Sequence, residues 1–427
     1  MSIDRLIIDR ATITDGDGVQ KYDIAKSITD IVIYEHLDKP YLTGAVSFLD
    51  PLGVLDKIKF KGLEEFYLTL SFPEDDRPSI SRKFIVDRII DTSKNNDNSE
   101  LVTFHIIEEI GFISTVLNVN KAYEGDSREI IDKIISENFP NNRLSEADED
   151  LAKYPMKLIV PNMTPLEAAN WIKDRTTSVY GTPYYLFTVL GQPGLIHFLP
   201  LSTMISGQIP HKKEYVYSQS ATQDAETSKD GSDQYYTIKK YRQNPLEISN
   251  LIDAGLISSQ QGFWDTATSA DMGSSFEVEN TIGLVPGFNK NNFKFDNSVE
   301  YNGKELNKIQ SRKFYAIHSS YPYQDAVSFR ELENLNRTLT AKALRKILVT
   351  GSVDVVVSGR NFITPESNKS IGTLLKLRFL NSELTEDINS KTDKVKSGKH
   401  LIYAVRHNIR KERYDVTLSC VKLENLE

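Results

Sequence analysis

Apolar and polar residues alternate along most of this chain, the period-2 signature of strands with one face buried. Strand patterns of this kind fall at residues ~3–14, Ile28–Leu37 and Leu42–Leu49, the last two joined across Asp38-Lys39-Pro40. Pro51 opens a short helical turn, and Gly62 precedes the next strand. Four strand blocks then recur in the same order near the other end of the chain. Thr43-Gly44-Ala45-Val46-Ser47-Phe48 is echoed by Thr350-Gly351-Ser352-Val353-Asp354-Val355, and Tyr67-Leu68-Thr69-Leu70-Ser71-Phe72 by Leu374-Leu375-Lys376-Leu377-Arg378-Phe379. Phe84–Ile90 matches Leu401–His407, and Leu101–Ile106 matches Asp415–Cys420. The pattern predicts one β-module doubled within the chain; two unrelated sheets converging on the same alternation are the alternative.

Between the two copies the periodicity changes. Asp126 and Glu129 have capping-box spacing ahead of an apolar face of Ile130, Ile131, Ile134 and Ile135, which Pro140 ends. Thr164-Pro165-Leu166-Glu167 combines an N-cap, proline at the first helical position and glutamate three residues after the cap. A helix carrying Ala168, Trp171 and Ile172 follows, then a hairpin of Tyr184–Leu190 and Leu195–Leu199 around Gly191-Gln192-Pro193-Gly194. Residues ~218–233 are a linker or long turn, and Gln234–Arg242 reads as one more strand. The stretch 244–323 reads as polar and irregular. Leu332, Leu335, Leu339, Ala343 and Ile347 then mark a helix leading into the second Thr-Gly block.

The division this implies is 1–112 for the first β-module, 113–205 for an inserted α+β domain, and 206–243 plus 345–427 for a split second β-module. Residues 244–344 form an irregular insertion ending in a helix. The fold class is α+β, mostly β.

At 427 residues with 39% hydrophobic and 10% aromatic content, the chain can bury several cores. A net charge of −8 argues against tight binding to a nucleic-acid backbone, which needs clustered Lys and Arg. The single cysteine, Cys420, fits a reducing compartment and a buried apolar role. No apolar run reaches membrane-spanning length and no signal-peptide pattern opens the chain, so a cytosolic, non-membrane protein is expected.

The chemistry-bearing residues converge on nothing catalytic. His400 and His407 flank one strand pattern and, seven apart, are expected on opposite faces, with no further ligand to complete a metal site. Asp15-Gly16-Asp17-Gly18 lacks the later ligands of a calcium loop and reads as a hairpin turn. The acidic pairs Glu64-Glu65, Asp75-Asp76, Glu108-Glu109 and Glu386-Asp387 read as solvated turns or strand ends. No catalytic, cofactor-binding or metal residue is assigned, and no cofactor is expected.

The layout, with the Val160-Pro161-Asn162-Met163-Thr164-Pro165-Leu166-Glu167-Ala168 helix start, the helix entering Val349–Val357 and the closing Leu401–Leu423, resembles the baseplate central hub of contractile-tailed, T-even-like bacteriophages. That family is related to the spike base of type VI secretion. The resemblance implies two tube-type antiparallel β-barrel domains per chain and a homotrimer whose six modules mimic a sixfold ring. It also implies partners: a hexameric tail-tube protein, a trimeric spike or cell-puncturing protein, other baseplate proteins, and a tape-measure protein. DNA would pass through the lumen without specific binding, in a virion tail assembled in the host cytoplasm. Apolar strand residues left over for an interface would be Phe66, Leu68, Leu70, Leu375, Leu377 and Phe379. Two alternatives keep the insertion for themselves: a tail-associated cell-wall hydrolase using Trp264 and Asp265, and a host-glycan-binding tail protein. The hub of a non-contractile tail, or the spike base of a secretion system, is a nearer rival.

Overall fold

The computed structural model describes residues 6–15, 18–50, 53–58, 60–72, 78–96, 99–146, 156–217, 235–244, 248–265, 269–277, 300–305, 308–318, 332–380, 392–411 and 413–424. The expected alternation becomes strands wherever it is regular. β1 (Ile7–Thr14), β2 (Lys21–Asp23), β3 (Ile28–His36) and β4 (Thr43–Asp50) are followed by the short α1 (Val54–Ile58). β5 (Glu65–Ser71), the long β6 (Ile80–Asn96) and β7 (Ser99–Glu108) complete the first half. β4 and β5 alternate strictly between buried and half-buried residues, so one face of each enters the core.

A second, smaller core forms between residues 110 and 198. α2 (Glu109–Val116), β8 (Ala122–Gly125), α3 (Ser127–Asn138) and β9 (Arg143–Leu144) lead to β10 (Met156–Ile159), α4 (Pro165–Lys173), β11 (Tyr184–Phe187) and β12 (Leu195–Pro200). Both expected capping boxes are present, Asp126 with Glu129 and Thr164 with Glu167, and Pro165 occupies the first turn of α4. The β11–β12 hairpin has a longer loop than its sequence suggested, because β11 ends at Phe187.

α5 (Leu201–Ser206), β13 (Tyr215–Tyr217) and β14 (Lys240–Gln243) return the chain to the main sheet. The described part of 244–323 is more regular than its sequence suggested. It holds α6 (Ile248–Asp253), β15 (Ser258–Asp265), β16 (Ala270–Glu277), the short β17 (Glu300–Tyr301) and β18 (Lys304–Glu305), and β19 (Arg312–His318). β15 pairs antiparallel with β16 and parallel with β19. Strands such as Ser258-Ser259-Gln260-Gln261-Gly262 carry no apolar alternation, so period alone could not reveal them. α7 (Leu332–Val349) follows, burying Leu339, Ala343, Leu344 and Ile347. β20 (Val353–Ser358), β21 (Leu374–Phe379), β22 (Gly398–Arg410) and β23 (Arg413–Glu424) close the chain.

The main sheet has 13 strands in the order β14-β20-β23-β22-β3-β4-β7-β6-β5-β1-β2, with β21 bridging β22 and β13. Two strand paths within it run alike: β3-β4-β7-β6-β5-β1 and β14-β20-β23-β22-β21-β13. Their last steps differ, since β1 is antiparallel to β5 while β13 is parallel to β21. The two paths meet edge to edge where β3 lies antiparallel along β22.

The Thr-Gly blocks do not superpose in register. Val46 faces Phe104, whereas Val353 faces Cys420, two residues beyond the Leu418 that the matched blocks require. The two glycines also do different things. Gly44 lies inside β4, where an added Cβ would meet the Val32 carbonyl oxygen at 2.3 Å. Gly351 sits in the turn after α7 with φ of 74°.

Candidate assembly interface

All six residues expected to face a partner lie in the chain's own core. Phe66, Leu68 and Leu70 on β5, and Leu375, Leu377 and Phe379 on β21, are each at most 2% exposed. The inward face of each strand is consumed by folding, so the surplus apolar face that the expectation required is not there. Candidates for assembly must instead be sought at the seam between the two paths and at strand edges.

The seam is built on β3 and β22, in register from Ala404 opposite His36 to Arg410 opposite Asp30. Glu35 stands in the middle of it, 2% exposed. Its Oε1 accepts the Leu190 N–H at 2.5 Å, and its Oε2 accepts the Ser370 hydroxyl. His407 Nε2 lies 3.1 Å from Oε1, close enough for an ion pair but not aligned as a hydrogen bond. Burial pushes the Glu35 carboxyl upward; His407 and the donors from Ser370 and Leu190 outweigh it and hold the group below its ordinary value. On its other side, the His407 ring meets the Tyr414 hydroxyl through Nδ1 at 2.7 Å. A single buried carboxylate thus ties β3, the β11–β12 loop and the second strand path together.

The same loop is held from the first path. Arg82 on β6 donates to the carbonyls of Val189 and Leu190 and pairs with Glu108 at 2.6 Å. Glu108 also accepts the Leu42 N–H at 2.9 Å. Lys173 on α4, 3% exposed, reaches Asp38 at 2.9 Å. Gly191 completes the packing: an added Cβ would meet the Thr364 carbonyl oxygen at 2.5 Å. Arg82 and Glu108 are buried on both sides of their pair, where loss of one partner costs more than the pair contributes.

The acidic pairs therefore need correction. Glu64 is buried and gathers the N–H groups of Lys61, Gly62 and Leu63 within 2.6–3.0 Å, closing the turn before β5. Glu65 and Glu109 share Lys83. Asp75-Asp76 and Glu386-Asp387 lie outside the described residues. The sequence does not single out Glu35 or Arg82: Glu35 shares β3 with Asp30 and His36, and Arg82 shares β6 with Lys83, Asp87, Arg88, Asp91 and Lys94.

His400 and His407 are likewise both buried, against the expectation of opposite faces. A β-bulge at Tyr403, between Ile402 and Ala404, adds one residue to the spacing and restores the phase. The His400 Nδ1 bonds the Gly398 carbonyl, so the rings serve separate structural partners. Among the described residues no group of three His, Cys, Asp or Glu is placed to hold a metal. Asp15 accepts the N–H groups of Val19 and Gln20, as a turn residue does. Trp264 is 40% exposed on β15. Among the described residues, no helix is long and apolar enough to cross a membrane.

No protein-family model matches the chain, and no curated protein does. Its fold is similar to that of a tail protein of known structure. It is similar over 97% of its length to 96% of the tail protein from Neisseria meningitidis MC58, with a TM-score of 0.55 and 10% sequence identity. The 43 kDa tail protein of prophage MuSo2 from Shewanella oneidensis is also similar, at TM-score 0.49 and 10% identity, covering 97% of this chain and 96% of that one. Prophage tail protein gp18 from Listeria monocytogenes EGD-e gives 0.45 and 8%, covering 96% and 94%.

Proposed function

We propose that this chain is a structural hub of a phage tail baseplate. Three copies close a ring in which six β-modules, two from each chain, approximate sixfold symmetry. One face of that ring joins a hexameric tail tube, the other a trimeric spike or cell-puncturing protein, and DNA passes through the lumen. Other baseplate proteins and a tape-measure protein would contact its rim. The single observation that supports this reading is the strand path that runs twice in one chain and meets itself edge to edge. A chain built this way presents two similar surfaces per copy, which a threefold assembly needs in order to meet a sixfold partner. The fold shared with phage tail proteins supports a place in the virion tail. A net charge of −8 suits a lumen that does not retain DNA. In this reading the chain is not an enzyme, and its polar networks serve rigidity.

The test is the mass and shape of the purified chain. Light scattering should give three times 48.4 kDa, and electron micrographs a ring with an open centre. A monodisperse monomer at micromolar concentration overturns the proposal. Clearing of peptidoglycan in a zymogram, abolished by Asp265→Asn, would put the hydrolase reading in its place.

A further inference from the structure

The seam inside the chain supplies a template for a junction between chains. β22 has two neighbours along one edge: β21 pairs with Leu374 opposite Leu401, and beyond the bulge at Tyr403 β3 takes over from Ala404 to Arg410. β6 is built the same way as far as its own bulge at Asp87, between Val86 and Arg88. Before that bulge it pairs with β5, ending at Glu65 opposite Ile85. Beyond it, among the described residues, the edge from Arg88 onward pairs with no strand except β7 on the far side.

The strand that would match β3 is β14. It pairs with β20 on one edge, and on the other no described strand accompanies it. All four of its residues, Lys240 to Gln243, are exposed. An unpaired row of backbone N–H and C=O groups is a site for another strand. Two such edges occur here, and they belong to the two partners of a junction that already exists once in the same molecule.

Aligning the bulges fixes the register. Val86 faces Ile106 and Ile402 faces Cys420, so Ile106 and Cys420 occupy equivalent stations, as do Phe104 and Leu418. Phe104 faces Val46, which faces Ile31; Leu418 faces Val355, which faces Tyr241. Tyr241, Arg242 and Gln243 therefore stand where Ile31, Val32 and Ile33 stand in the seam. Those three face Ile409, Asn408 and His407. Carried across through Tyr414, Asp415 and Val416 to Glu100, Leu101 and Val102, the matching residues of β6 are Lys94, Ser93 and Thr92.

Resting on the ring proposed above, the geometry points to β14 of one copy pairing antiparallel with the outer half of β6 of the next, Arg242 opposite Ser93. The occupant of each edge is a second copy of this chain. One charge pair suits the pairing: Asp91 lies diagonal to Arg242 on β6, exposed in the single chain, while Lys94, opposite Tyr241, is a like charge that solvent screens. Tyr241, 37% exposed, and Ile90, 53% exposed, supply apolar surface on the two sides. The contact is head-to-tail, so each copy offers one edge and receives the other, and a closed ring leaves none unpaired.

The test is a disulfide between Arg242→Cys and Ser93→Cys in the full chain, since directly opposed strand residues lie within about 4.4–6.8 Å between Cα atoms. Both positions are exposed, and the native Cys420 is buried. Under mild oxidation the double variant should give a covalent product that stops at three chains on a non-reducing gel. Either single variant should stay one chain long. Arg242→Cys with Thr92→Cys, whose side chain leaves the face of β6 opposite to that of Ser93, should cross-link at least tenfold less. A trimer in light scattering that gives no cross-link overturns this junction and leaves the ring standing. A ladder running past three keeps the junction and overturns the ring. A monomer overturns both.

Discussion

β22 and β6 run the same course until each reaches a bulge, and then they part. Beyond Tyr403, β22 is covered by β3, and Val405, His407 and Ile409 are at most 2% exposed. Beyond Asp87, β6 has no strand along that edge among the described residues, and Ile90, Asp91, Thr92, Ser93 and Lys94 are exposed. Composition follows the neighbour. The covered half can use apolar residues and a buried Glu35–His407 contact because its partner is always present in the same chain. The open half must stay in water until a partner arrives, so it carries charge and hydroxyls. On our reading one junction is permanent and dry, and the other is reversible and polar.

Acid should weaken the buried core more than any open edge. Burial lowers His211 and His400 to about 4, and His197 in the inserted hairpin to about 4 as well. The unfolded chain binds these protons near pH 6.5 while the folded chain refuses them, so the stability is complete above 6.5 and is lost as pH falls toward 4. At full titration the loss is on the order of 3 kcal/mol for each ring. Glu35, held low in the folded state, adds a loss at still lower pH. The urea midpoint should therefore fall steeply from pH 7 to 4.5; a flat midpoint would show that these rings are not neutral in the core.

Glu35→Ala should come next, costing about 3–5 kcal/mol in urea unfolding, because it strands a buried histidine and the Leu190 N–H. A cost near that of a surface change would mean the seam is not held by this carboxylate. Gly44→Ala should cost about 1–3 kcal/mol, since its Cβ would press β3 away from β4. The matching station in the second path is Val353, which already carries a side chain, and Val353→Ala should cost only about 1–2 kcal/mol from lost burial. A Gly44→Ala cost no larger than that of a surface change would mean that β3 does not press on this glycine. Asp30→Asn, at the half-exposed end of the seam beside Arg410, should change stability by less than about 1 kcal/mol.

The sequence by itself determined the strands with clean alternation, the two capped helices and the order of the repeated blocks. Each depends on contacts within a few residues or on one face being apolar, and both are written locally. Tertiary structure alone decided the rest. The Thr-Gly blocks are alike in letters yet two residues apart in register, because Gly44 lies within its strand while Gly351 lies in the turn before one. Phe66 and Leu377 are equally apolar whether they meet a partner or the same chain, and only the packed sheet shows that folding uses them. Glu35 and Arg82 looked like ordinary charges until the β11–β12 loop closed over them. The polar strands β15 and β16 had no periodic signal to offer. Which sheet edges stay open is the least local property of all, since it depends on every strand that could have covered them.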